Sequence, residues 1–417
     1  MVWLQLRIVI GYGSLFGMET FSQRTSWSRG LTELESARVA RVRSGAPVWD
    51  LTCANPTRQG FTYGREALAS FWGVAEAYAP CALGLPEARA AVAAYICGQG
   101  GQVDASQVWI GSGTSELYWH AMTILCDPGA CWLVPQPGYP LFDYVADLAG
   151  VRLARYPLAW DGAWYLQADA LEQAVGASGA RALVIISPHN PTGHVWTAAE
   201  REMVVDCCRR HQMALVVDEV FLDYPVDASA SEPSVAGCEE VLTICLSGAS
   251  KVAAFPQGKV AWGAVAGPGA EEFLARAELV SDTYLHASTV IQAGLPALLK
   301  AAPAMQARIR ARCRENLAYA RRRLAGTAVS VCGVPAGWSM LLRVPDTMDD
   351  IGWALRALQA EGVLVHPGYL FGMESVHSSP FLGVSLLLEA SAFAEGIERL
   401  ARLVEEGANA QVLEGGT

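Results

Sequence analysis

No two of the eleven cysteines in this chain form a CxxC pair. Their number is odd and Cys207-Cys208 sits inside a helical pattern, so the sequence offers neither a disulfide framework nor a metal-ligand set. A reducing compartment fits best. Charge is also scarce: only 17% of residues are charged, with a net charge of −11, and no dense Lys/Arg cluster is interleaved with aromatics. That balance excludes a nucleic-acid surface. RARCREN and YARRRLAG, near 310 to 326, read as the wet face of one long helix. Apolar runs long enough for a membrane span are missing, and the opening MVWLQLRIVIGYGSLFG lacks both a basic start and a cleavage site. The expectation is a cytoplasmic protein with no membrane partner. There is no internal repeat and no low-complexity linker.

What is present is apolar substance. At 417 residues and 52% hydrophobic, the chain can bury a large core, and the length suits one large domain with a smaller one. Near the start, Gly11, Gly13 and Gly17 follow a strand-like LRIVI and imitate a dinucleotide fingerprint. The imitation fails because METFSQRTSWSRG follows, polar and turn-like where an amphipathic helix is needed. Met18 is a candidate natural start, and residues 1–20 are read as an N-terminal extension.

From about 105 to 265, the β-rich runs QVWIGS, CWLVPQP, ALVIISP, ALVVDEV, VLTICLS and VAWGAVAG alternate with helical patterns such as TAAEREMVVDCCRRHQ. This predicts an α/β fold, a mostly parallel sheet with helices on both faces. Beyond 303 come a long helix, a GWSMLLRV strand, a DDIGWALRALQAEG helix, a VLVHPG strand and a last helix, AFAEGIERLARLVEE. The expected division is a large domain over 66–302 and a smaller α+β domain over 303–417, completed by an N-terminal segment over 21–65.

In such a sheet, ligands collect at the carboxyl ends of the strands. Ser112-Gly113-Thr114, Tyr139, Asn190, Asp218 and Lys251 all fall at predicted strand ends. A lysine held there in an apolar setting can lose its proton and trap an aldehyde as a Schiff base; pyridoxal phosphate is the expected aldehyde. The plainer alternative is a surface lysine. Asp218 ends an apolar run, a poor place for a charge unless a cation such as a protonated pyridine nitrogen meets it, or unless it caps a turn. Ser112-Gly113-Thr114 precedes the helical SELYWHAMTIL and offers amides to a phosphate, or makes an ordinary N-cap. Tyr139 in PQPGYP presents a flat ring from a proline-braced turn, or packs in the core.

IGSGTSEL, PQPGYPLFDY, SPHNPTG, VVDEVF and SGASK with its later lysine occur in one order. Together they resemble the class I/II aminotransferase family of fold-type I pyridoxal-phosphate enzymes, from LTCANPT near 51 to EGIERLARLV near 404. The resemblance implies a transaminase working on an amino acid and a 2-oxo acid by a ping-pong mechanism. It implies that Lys251 forms the Schiff base and shuttles the proton, Asp218 pairs with the ring nitrogen, Asn190 bonds the phenolic oxygen and Tyr139 stacks on the ring. It assigns the phosphate to Gly113, Thr114, Ser250 and Lys259, and gives Tyr78 a contact with the neighbouring subunit's phosphate, hence a homodimer with shared sites. Other chemistry on the same cofactor, a lyase, decarboxylase or racemase, is the nearest rival, and a non-catalytic cofactor-binding regulator a further one.

Three departures stand out. Phe221 occupies the place of a tyrosine that bonds the phenolic oxygen, so the cofactor–lysine imine is expected to hold its proton more tightly. Lys259 replaces an arginine and Gly248 a serine at the phosphate, with Ser247 as a compensating donor from one position earlier. Gly383, in PFLGVSLLLEA, falls where the arginine for the substrate carboxylate belongs. Either Arg58 in NPTRQG or Arg24 in SQRTSW, the nearest candidates by motif position, substitutes, or the substrate has no carboxylate there; the plainer reading of both arginines is a solvated surface role. Phe61, Tyr63, Tyr369 and Phe371 either line an apolar pocket or pack the smaller domain.

Overall fold

The computed structural model describes residues 21–72, 80–227, 229–285, 287–375 and 379–414. The extension read over 1–20 lies outside them, as does Tyr78. Trp49–Asp50 (β1) is followed by eight strands of one large sheet: Val108–Gly111 (β2), Cys131–Gln136 (β3), Arg152–Trp160 (β4), Trp164–Leu166 (β5), Ala182–Ile186 (β6), Ala214–Asp218 (β7), Thr243–Gly248 (β8) and Ala261–Ala266 (β9). Their order is β2-β9-β8-β7-β6-β3-β4-β5. The run from β4 through β3, β6 and β7 to β8 is parallel, and β9 is antiparallel to both its neighbours.

Parallel strands covered on both faces need apolar side chains at every position, and β6 and β7 supply them. Leu183, Ile185, Leu215 and Val217 face one apolar cluster with Val92, Ile96 and Leu298, whereas Val184, Ile186 and Val216 face the other with Leu117, Phe142 and Phe273. The hairpin of β4 and β5 was not legible as strands, because Arg152 and Arg155 interrupt its apolar pattern near the sheet edge.

Ser330–Val331 (β10), Ser339–Arg343 (β11), Val363–Leu364 (β12), His366–Pro367 (β13) and Phe381–Ser385 (β14) follow. Four of them make an antiparallel sheet, β10-β11-β14-β13, while β12 pairs with β1 and so joins the N-terminal segment to this part. Met340, Leu342, Leu382 and Val384 pack on Phe393 and Ile397 of the last helix, Ala390–Glu414. A 36-residue helix, Thr289–Leu324, runs through the boundary expected at 302/303. Its Leu295 and Leu298 belong to the core beside the large sheet and its Ile309 and Leu317 to the core of the smaller one.

Candidate active site

Asp218 is the last residue of β7, and Lys251 lies in the single helical turn Ala249–Val252 directly after β8. β7 and β8 are neighbours in parallel register, so both side chains emerge at the same edge. Burial pushes the Lys251 ammonium below the usual lysine value, with the Asp218 carboxylate pulling the other way. Desolvation raises the Asp218 carboxyl to about 6, opposed by hydrogen bonds from the Val220 amide and the Tyr118 hydroxyl, each 3.0 Å long, and by Lys251.

Lys251 Nζ lies 5.5 Å from the Trp338 ring centroid and 5.9 Å from that of Phe221. The two rings meet edge to face, and Tyr224 joins them while its hydroxyl donates to the Lys251 carbonyl at 2.5 Å. The turn carrying the lysine is therefore fixed from below by aromatics.

Gly113 and Thr114 open the helix Thr114–Leu125, which has no side-chain cap, so its first amides are left for another acceptor. Lys259 comes to the same place from the other side of the chain turn. A Cβ built on Gly113 would stand 3.5 Å from Lys259 Nζ. Ser250 is half-buried in the Lys251 turn.

Asn190 sits in a loop closed by the His189 carbonyl, which accepts from the Gly193 amide at 2.7 Å, and by His189 Nδ1 at 2.8 Å from Thr192 Oγ1. Ser339 Oγ of β11 approaches Asn190 Oδ1 at 3.5 Å, bringing the smaller sheet over this loop. Tyr139 follows β3. Burial pushes its phenol up to about 12, and the adjacent Gly138 amide donates to the Phe371 carbonyl at 2.9 Å.

The departures have physical reasons. A Cβ on Gly248 would lie 3.0 Å from Ala261 Cβ, so a serine there would need β9 to give by a few tenths of an ångström. The Ser247 hydroxyl is buried without a partner beside a cavity of about 10 Å³ lined by Tyr95, Glu219 and Trp262. Side chains alternate along a strand, and Ser247 takes the inward side.

At Gly383, paired with Leu341 and His366, an added Cβ would stand 3.2 Å from Phe371 Cε2 and 3.3 Å from His366 Cβ. An aromatic ring thus covers the spot from which an arginine would project.

Among the described residues, neither expected arginine makes a hydrogen bond or ion pair with Lys251 or Asp218. Arg24 is exposed, with its guanidinium on the Leu148 carbonyl at 3.3 Å and on Ser22 Oγ. Arg58 is exposed in the short 3-10 helix Pro56–Gln59. Phe61 is buried under Arg308 and Arg312, and Tyr63 donates to the Ala253 carbonyl at 2.7 Å, so both pack rather than line a pocket. Tyr118, Tyr224, Trp338 and Ser339 are the site residues the sequence reading missed. Tyr118 alone left a local trace, one helical turn beyond Thr114.

The model of the aminotransferase class I and II family matches residues 75–400. The chain belongs to that family. Its members depend on pyridoxal phosphate. Among curated relatives, glutamate-pyruvate aminotransferase AlaA of Haemophilus influenzae is 30% identical over 272 residues, covering 63% of this chain and 66% of the relative. Nicotianamine aminotransferase 1 of Oryza sativa subsp. japonica is 23% identical, covering 77% of this chain and 66% of the relative. The matched stretch thus spans just under two thirds of each relative. The fold is shared with alanine aminotransferase from Pyrococcus furiosus, with a TM-score of 0.81 and 18% identity over 90% of this chain and 96% of that one.

Proposed function

We propose that this protein is a pyridoxal-phosphate-dependent aminotransferase that moves an amino group between an amino acid and a 2-oxo acid in two half-reactions. The observation that carries this reading is the meeting of Lys251 and Asp218 at the ends of adjacent parallel strands, with the Gly113–Lys259 cradle beside the uncapped helix. These residues fit the cofactor: a carboxylate for a ring nitrogen, a lysine of lowered basicity for an aldehyde, and amides with an ammonium for a phosphate.

When bound, the cofactor supplies an aldehyde that captures amines and a ring that withdraws the charge left at the substrate α-carbon. Lys251 would hold the cofactor through its Nζ, and the same nitrogen would carry the proton taken from the substrate α-carbon. Burial lowers the basicity of that nitrogen, against the pull of the Asp218 carboxylate, which favours its unprotonated form relative to an exposed lysine. Asp218 keeps the ring nitrogen protonated, Asn190 donates to the phenolic oxygen and Tyr139 offers its ring as a stacking face. Gly113, Thr114, Ser250 and Lys259 hold the phosphate. Phe221 contributes an apolar wall and no hydrogen bond.

A homodimer is part of this proposal, with Tyr78 reaching the partner's phosphate. Exposed Trp72, Tyr284 and Leu285 supply apolar surface for such contact. All eleven cysteines are free, in keeping with a reducing cytoplasm, and none of the described helices is long and apolar enough to cross a membrane.

The test is incubation of the protein and cofactor with a panel of amino acids, reading keto acid and aminated cofactor. Equal amounts of both support transamination. Ammonia or carbon dioxide released with the cofactor still in its aldehyde form replaces this reading with a lyase or decarboxylase, the alternative favoured by the Phe371-covered Gly383.

A further inference from the structure

The Asp218 carboxylate receives two donors from two different elements. Oδ1 accepts from the Val220 amide, closing a local turn, and Oδ2 accepts from the Tyr118 hydroxyl across a separation of 100 residues. One donor on each oxygen fixes both the rotamer and the plane of the carboxylate, leaving a lone pair on each for a further partner.

Tyr118 is buried on the helix Thr114–Leu125, whose first residues form the anion cradle. Its ring is clamped edge to face by Phe142, at 4.9 Å between centroids, on the helix that follows Tyr139. A single rigid helix therefore spaces the cradle from the carboxylate, and Phe142 ties that spacing to the Tyr139 turn.

We propose that Tyr118 is a positioning residue that acts through Asp218, holding the carboxylate ionised and correctly oriented for the ring nitrogen of bound cofactor; this rests on the function proposed above. Burial favours the neutral acid, and the hydroxyl donates only to the charged form or in competition with the acid's own proton. Of the groups around it, Lys251 is the cation that also supports the charge. The Glu219 carboxylate is turned away, onto Ser234 Oγ at 2.6 Å and the Val235 amide at 2.8 Å. Tyr156, a buried tyrosine near Tyr118, gives its hydroxyl to the Val184 carbonyl at 2.7 Å, and buried Tyr224 gives its own to the Lys251 carbonyl.

The experiment titrates the full chain with pyridoxal phosphate by absorbance from pH 5.5 to 8.5. It compares wild type, Tyr118→Phe and Tyr156→Phe, each with its apo melting temperature. Tyr118→Phe should weaken binding by about tenfold near pH 6, the loss of one hydrogen bond to a charged group, and by less near pH 8, where Asp218 is ionised regardless. Tyr156→Phe, which also removes a buried hydroxyl, should leave the pH profile unchanged.

In an Asp218→Asn background, Tyr118→Phe should have no further effect on affinity. An unchanged Kd and pH profile in Tyr118→Phe, or an equal loss in both backgrounds, overturns the proposal. Absence of binding by the wild type overturns the functional reading instead.

Discussion

The ring of Phe221 lies 5.9 Å from Lys251 Nζ, while the nearest tyrosine hydroxyl in sequence, that of Tyr224, is committed to the Lys251 backbone carbonyl. The lysine is thus braced through its main chain, and under the proposed function position 221 would offer the cofactor's phenolic oxygen no hydroxyl. Phe221→Tyr should supply that donor and stabilise the phenolate, lowering the pH of the spectral transition by about one unit, the equivalent of one modest hydrogen bond. An absorbance pH titration of both proteins checks this; a transition at or above the wild-type pH contradicts it.

Gly383→Arg should not restore a carboxylate site. Its Cβ alone enters the space of Phe371 and His366, and overpacking of this kind costs about 1–3 kcal/mol. The melting temperature should fall, and Gly383→Arg with Phe371→Ala should be more stable than the sum of the two single changes. Strict additivity would show that the ring is not what obstructs the position.

Lys259 is exposed yet lies at the cradle, so its charge is available to an anion. Lys259→Ala should raise the Kd for pyridoxal phosphate roughly 10- to 100-fold, and Lys259→Arg should match or improve on wild type through a second donor. Pyridoxal lacking the phosphate should bind both variants and wild type alike. A deficit that persists with pyridoxal would move Lys259 out of the phosphate role.

Buried Glu219 has its carboxyl pushed from 4.5 to about 7 by desolvation, against the donors Ser234 and Val235. The native state therefore keeps a proton that the unfolded chain has already lost. The stability this contributes is complete below about pH 4.5 and disappears as the pH rises to about 7. Relative to Glu219→Gln, the apo wild type should lose up to roughly 3 kcal/mol over that window. Melting curves at pH 4.5, 5.5, 6.5 and 7.5 measure it, and a constant difference between the proteins would refute the assignment.

Much of the layering was legible locally. Short apolar, β-branched runs such as ALVII and ALVV, set between helical repeats, point to strands buried on both faces and joined by parallel crossovers. Strand ends in such a sheet converge, so Asp218 and Lys251 were readable as neighbours before any coordinates. Period-two patterning was too weak in β4, whose charged residues hide a nine-residue strand.

What the sequence by itself determined is what short-range physics governs: the strand and helix periods, the turn chemistry, and the residue types at the strand ends. Only the tertiary structure decided that Tyr118 meets Asp218, that Trp338 lies near Lys251, that Phe371 covers Gly383 and that Ser247 turns inward. The reason is register and packing. A shift of one residue reverses the face of every side chain on a strand, and contacts across 100 residues depend on how whole layers close on one another.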